Sequence, residues 1–172
     1  MISIGQRLDT IEDEPIDHLI ACHDRILARL VTLERIRSGL HTDPKAALTA
    51  LRNTLRFFDL SGRLHTEDEE YSVFPRLRAR LTREQLTYLD NLESEHREKE
   101  RVYADLRTLA GELDDEITDN RVQRYSALVS RLCGLYRSHI ASENDVLVRL
   151  GRESLTEQER SEIHREMRAR RR

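Results

Sequence analysis

The chain has no tryptophan, three prolines, six glycines and two cysteines in 172 residues. With so few turn-formers and helix breakers, and with Leu, Arg and Glu abundant, it reads as helical. No apolar run approaches the roughly 20 residues that a membrane-crossing helix needs, so no membrane span is expected. Met1–Gly5 lacks a basic segment followed by an apolar run, so no signal peptide is expected either. Cys22 and Cys133 have neither CxxC spacing nor a secretory context, which points to reduced thiols in a cytoplasmic protein. A net charge of −3 is too small to steer nucleic acid. The length suits one domain with one core. A hydrophobic fraction of 38% beside 35% charged residues suits long amphipathic helices with wide polar faces.

What is present is periodic. Asp13-Glu14-Pro15 announces a first helix with the apolar stripe Ile16, Leu19, Ile20, Ile26, Leu27, Leu30, Leu33, ended by Gly39. Asp43-Pro44 opens a second, with Leu48, Leu51, Leu55 and Phe58, which Phe74-Pro75 is expected to stop or kink. Thr82-Arg83-Glu84-Gln85 is a capping box for a third, ending near Gly111. An acidic linker, Asp114–Asn120, leads to a fourth helix that ends at Gly151, and Thr156 caps a short charged fifth. The pattern predicts an all-α, up-down-up-down antiparallel four-helix bundle with a short C-terminal helix. Its core covers about residues 14–151 and its charged tail helix about 156–172, in one domain spanning 1–172.

The chemistry lies in the histidines. Of seven, four sit on the apolar stripes, one per long helix: His23, His65, His96 and His139. Each is three, four or seven residues from core apolar positions, so all four imidazoles should point inward. Two carry a glutamate one turn later, Glu69 and Glu143, so imidazole and carboxylate aim at the same interior point. At about 1.5 Å rise per residue and with alternating direction, the four histidines lie about 12 to 20 Å from one end of the bundle, in a single layer. A buried carboxylate needs a partner, and His and Glu donors from facing helices build dinuclear iron or manganese sites. Without the metal, mutual repulsion should raise at least one carboxyl pKa. The bland alternative is a structural bundle whose histidines are merely packed.

Other candidates are weaker. His18 lies about 140° around the helix from His23, His41 is in a turn and His164 in the charged tail. Glu70 is expected to face solvent. Asp68 would reach the layer only if its helix rotated. Glu100, one turn after His96, could be a third carboxylate or a surface partner of Arg97 or Arg101, and the surface role is favoured. Tyr103 and Tyr136 could donate to a bound ligand, or be plain core residues. The run Arg165–Arg172 could touch nucleic acid or an anionic partner, or be a solvated helix end, so no clear nucleic-acid site follows from it.

The segments Cys22-His23-Asp24-Arg25-Ile26, His65-Thr66-Glu67-Asp68-Glu69-Glu70-Tyr71-Ser72-Val73-Phe74-Pro75, Glu95-His96 and His139-Ile140-Ala141-Ser142-Glu143-Asn144-Asp145-Val146-Leu147 resemble the hemerythrin-like, or HHE cation-binding, family. The resemblance runs from about Pro15 to Leu150. It implies a non-haem di-iron site with Glu69 and Glu143 bridging and His23, His65, His96 and His139 as terminal ligands. Oxygen-carrying hemerythrins have a further helix-C histidine where this chain has Leu92 or Glu100, and an aspartate at +5 rather than Glu143 at +4. The chain looks more like the four-His, two-Glu members, which include iron-cluster repair proteins and an iron sensor. The cysteine-bearing N-terminal domain of the repair proteins is not in this sequence.

Two six-coordinate irons held by this set and an oxo or hydroxo bridge would keep open positions for O2, peroxide or nitric oxide. The expected activity is therefore that of a di-iron oxidoreductase, catalase-like or oxidase. The alternative is a sensor or binding module for O2, nitric oxide or iron, with a protein partner.

Overall fold

The computed structural model describes residues 14–172. Helix α1, Pro15–Thr42, starts where Glu14 accepts hydrogen bonds from the amides of Ile16 (2.7 Å) and Asp17 (3.0 Å). Asp13, part of the same expected signal, lies outside the described residues. Gly39 does not end α1, which runs three residues further. Its role is close approach: a Cβ there would sit 3.2 Å from the Ala47 Cβ of the next helix. The carboxylate of Asp43 then caps that helix by accepting from the Ala46 amide.

The second rod, α2, alternates α and π turns: Pro44–Phe57 (α), Phe58–Gly62 (π), Arg63–Asp68 (α), Glu69–Val73 (π) and Phe74–Arg78 (α). Pro75 neither stops nor breaks it. The π turn before the proline shifts the ladder, so that the Phe74 amide bonds the Glu69 carbonyl, and the Arg76 guanidinium donates to the Ser72 carbonyl at 2.8 Å. The expected Thr82–Gln85 capping box is present and starts α3, Arg83–Asp115, which passes through Gly111. The acidic linker shrinks to residues 116–118, because Asp114 and Asp115 are helical and Thr118 caps the next helix.

The fourth rod, α4, runs through Asp119–Ser142 (α), Glu143–Leu147 (π) and Val148–Ser154 (α). Gly151 lies inside it, and here too glycine serves contact: a Cβ would meet Ile16 Cδ1 at 2.5 Å. A Thr156–Glu159 capping box opens α5, Glu157–Arg170. The four long rods form the up-down-up-down bundle, and α5 packs across one end of it.

The core is divided in two. A large cluster including Leu30, Leu33, Leu51, Leu106 and Leu132 fills one end. A smaller one including Ile16, Leu19, Phe74, Leu89 and Leu147 fills the other, closed by Ile163 and Met167 of α5. On the first three rods the chain crosses from one cluster to the other at a buried histidine, and on the fourth it crosses between Ile140 and Leu147, around the buried Glu143. Among the described residues, no helix is long and apolar enough to cross a membrane.

Candidate metal centre

His23, His65, His96 and His139 are buried, and Glu69 and Glu143 have no exposed surface. Their ligand-capable atoms form two groups, His23/His65/Glu69/Glu143 and Glu69/His96/His139/Glu143, within each of which the atoms lie within 4.8 Å of one another. The two groups share both glutamates. Each glutamate is the first residue of a π turn, one helical turn after the histidine of its rod. Such turns recur at functional sites because the extra residue re-aims side chains without ending the helix.

The Nε2 atoms face inward. His23 Nε2 lies 3.1 Å from Glu143 Oε2, His65 Nε2 3.5 Å from Glu69 Oε1, His96 Nε2 3.3 Å from Glu69 Oε2, and His139 Nε2 2.9 Å from Glu143 Oε1. Three of the Nδ1 atoms are held from outside, whereas His65 Nδ1 is buried without a partner. His96 Nδ1 meets Glu70 at 2.7 Å, His139 Nδ1 meets Glu95 at 2.6 Å, and His23 Nδ1 meets the Asn144 side-chain oxygen at 2.7 Å. These oxygens accept, so each of the three Nδ1 atoms carries a proton and the Nε2 atom is the one left to face a cation.

A cation fits this arrangement. His96 Nε2 and His139 Nε2 are 3.0 Å apart, so two lone pairs confront each other unless a proton or a metal lies between them. All four oxygens of Glu69 and Glu143 are buried without a well-directed hydrogen bond, as is His23 Nε2. Leaving a carboxylate so placed costs on the order of several kcal/mol, and coordination removes that cost. Imidazole and carboxylate donors suit a transition metal such as iron.

Without metal, protons take over part of that role. Burial alone would lower the pKa of His23 and His96, but attraction to Glu143 and Glu69 for His23, and to Glu69 and Glu70 for His96, raises them to about 10 and about 9. Burial and the charge of Glu69 push Glu143 up, yet His139 and His23 hold it down at about 2. Glu69 is likewise held well below the usual range, burial being outweighed by His65, His23 and His96. The expectation that a carboxyl would be raised is thus corrected, because His23 and His96 take the charge instead. Burial keeps His65 neutral, with a pKa of about 3.

A sequence model described as the Hemerythrin HHE cation binding domain matches residues 14–151. The chain belongs to the hemerythrin HHE family. A protein of Haemophilus influenzae, described as uncharacterized, is 30% identical over 92% of this chain and 91% of its own length. This hemerythrin domain is thus a cation-binding module, with the His/Glu cluster as the place where its geometry can hold ions.

The remaining candidates fall elsewhere. Glu100 is exposed and belongs to neither group. The Tyr103 hydroxyl donates away from the cluster, toward the Leu55 carbonyl and Asp59, each at 2.8 Å, so it is not placed to serve a ligand there. Tyr136 does lie close enough for the charges of Glu69 and Glu143 to add to the effect of burial in raising its pKa. Glu70 does not face open solvent as expected, since it is half-buried against His96. Asp68 points away from the cluster, toward His18, Arg170 and Arg171, so the basic tail is neither a free anion-binding run nor wholly solvated.

Sequence reasoning missed the outer partners and Lys99. Glu70 and Asn144 each directly follow one of the paired glutamates, and a π turn rotates successive side chains by less than an α turn does. That repetition was a readable signal. Lys99, three residues after His96 and seven after Leu92, is 5% exposed; its spacing put it on the inward face, and its residue type hid that signal.

Proposed function

We propose that this hemerythrin domain holds two iron ions, with His23 and His65 on one, His96 and His139 on the other, and Glu69 and Glu143 bridging both. The observation that carries the reading is the pair of four-residue groups that share both carboxylates. Two such ions supply redox equivalents and open positions for O2, hydrogen peroxide or nitric oxide. We favour turnover of peroxide or O2, in the manner of a catalase or an oxidase, over sensing without turnover.

The protein's own residues prepare the site for that chemistry. Glu70, Glu95 and Asn144 fix three of the imidazoles by their Nδ1–H groups and so keep Nε2 available. The apolar clusters on both sides limit water while admitting small neutral molecules. The cytoplasm suits the two buried free thiols, Cys22 and Cys133.

The test is oxygen release from hydrogen peroxide by iron-loaded protein. Two peroxide molecules should yield two waters and one O2, and the rate should collapse in Glu143→Ala. Tight binding of nitric oxide or O2 with no turnover of either oxidant would instead make the domain a binding or sensing module.

A further inference from the structure

Beside the cluster, a cavity of about 770 Å³ opens between α2 and α3. Its wall includes Phe58, Tyr103 and Tyr136, and it reaches His96 and Lys99. The aromatic rings form one apolar surface, with Phe58 centred 5.7 Å from Tyr103 and 5.5 Å from Tyr136. A diatomic or a peroxide needs a small fraction of this volume. The size is that of a pocket for an organic molecule, typically about 300–1,000 Å³ with a few placed polar groups.

Lys99 is the unpaired buried charge of the lining, since Asp59, Glu67 and Glu70 are paired with Arg107, Arg63 and His96. Its side chain is 5% exposed, and its ammonium sits 4.9 Å from the centre of the Tyr136 ring. No carboxylate among the described residues lies within 4.0 Å of it, and none accepts a hydrogen bond from it. A buried ammonium of this kind needs compensating charge. Glu143, Glu69, Glu95 and Glu70 provide it only through space. Once cations occupy the cluster, Glu69 and Glu143 are committed to them, and Lys99 faces added positive charge. A ligand anion would restore the balance. Of the cavity's other cations, Arg63 pairs with Glu67, Arg107 pairs with Asp59, and Arg97 is exposed to solvent, so Lys99 is the buried one.

We propose that this cavity binds a small organic carboxylate, its anionic end on the Lys99 ammonium and its apolar body against Phe58 and Tyr136. The proposal rests on the di-iron reading for the neutralisation of Glu69 and Glu143. It adds a substrate or effector class that the diatomic chemistry alone does not require.

The test uses benzoate as probe and isothermal titration of iron-loaded protein, with iron content measured on the same samples. Benzoate should bind the native chain, about tenfold more weakly in Lys99→Met, and within about threefold of native in Lys99→Arg, which keeps the charge. The arginine variant guards against a methionine variant that folds poorly. No binding to the native protein, or equal affinity in Lys99→Met, would overturn the assignment; the latter would mean that benzoate is held elsewhere, including by the metal itself. Iron content separately judges the di-iron reading: protein that takes up no iron overturns that reading and the charge argument for the pocket with it, whereas two irons without benzoate overturn the pocket alone.

Discussion

At the scale of single residues, the centre depends on which nitrogen of each imidazole carries the proton. Glu70, Glu95 and Asn144 hold Nδ1–H of His96, His139 and His23, so Nε2 is the atom offered inward. Outer partners of this kind are worth about 10–100-fold in metal affinity. Glu70→Ala should therefore weaken iron binding by roughly that factor while leaving the fold intact, as competition with a chelator would show. Unchanged affinity would mean that His96 keeps its tautomer by another route. Glu69→Ala and Glu143→Ala should be far more severe, because each removes a donor common to both groups. Glu100→Ala should leave the metal content unaltered, since Glu100 is exposed and outside both groups. Metal analysis of the three variants checks this ordering, and loss of metal in Glu100→Ala would require a third carboxylate.

At the scale of elements, α5 is tied to the bundle by charge as well as by Ile163 and Met167. Arg171 meets Asp68 at 2.6 Å and Arg170 meets it at 2.9 Å, with Asp68 fully buried. Burial pushes the Asp68 carboxyl above its usual range, and Arg171 and Arg170 oppose that. Breaking a buried pair costs about 3–5 kcal/mol. Because Arg170 remains, Arg171→Ala should fall at the lower end, about 3 kcal/mol, or a drop in Tm on the order of 10 °C in a chain of this size. A melting curve that does not move would show that α5 is held by its apolar contacts alone. This clamp was not legible in the sequence, because Asp68 and Arg171 are 103 residues apart and periodicity speaks only of neighbours on one helix. The four inward histidines and the two glutamates were legible, since spacing along a helix sets the face. The glycines were misread as terminators. Gly39 and Gly151 instead permit close approach to Ala47 and Ile16, a need that only the packed bundle reveals.

At the scale of the whole molecule, the polar layer between two apolar clusters makes stability depend on what occupies it. In metal-free protein the folded pKa values of His23 and His96, about 10 and about 9, lie above the unfolded value of 6.5. Their contribution is complete below about pH 6.5 and is lost as pH rises through the folded values. Lys99, lowered to about 8 by burial, acts in the opposite sense above that pH, so the alkaline loss should be steepest between about 6.5 and 8. His65 and His18, lowered to about 3 chiefly by burial, withdraw stability as pH falls from 6.5 toward 3. Metal-free protein should therefore melt highest near pH 6.5. Iron-loaded protein should melt higher and stay nearly level up to pH 8, because metal replaces the protons on Nε2. Matching pH profiles for the two forms would contradict this coupling.

Anomalous diffraction at the iron edge of iron-loaded crystals tests most directly whether this layer holds a pair of irons. Two peaks should appear between Glu69 and Glu143, one beside His23 and His65 and the other beside His96 and His139. A single peak, or iron bound elsewhere with Glu69 and Glu143 free of it, would contradict the account.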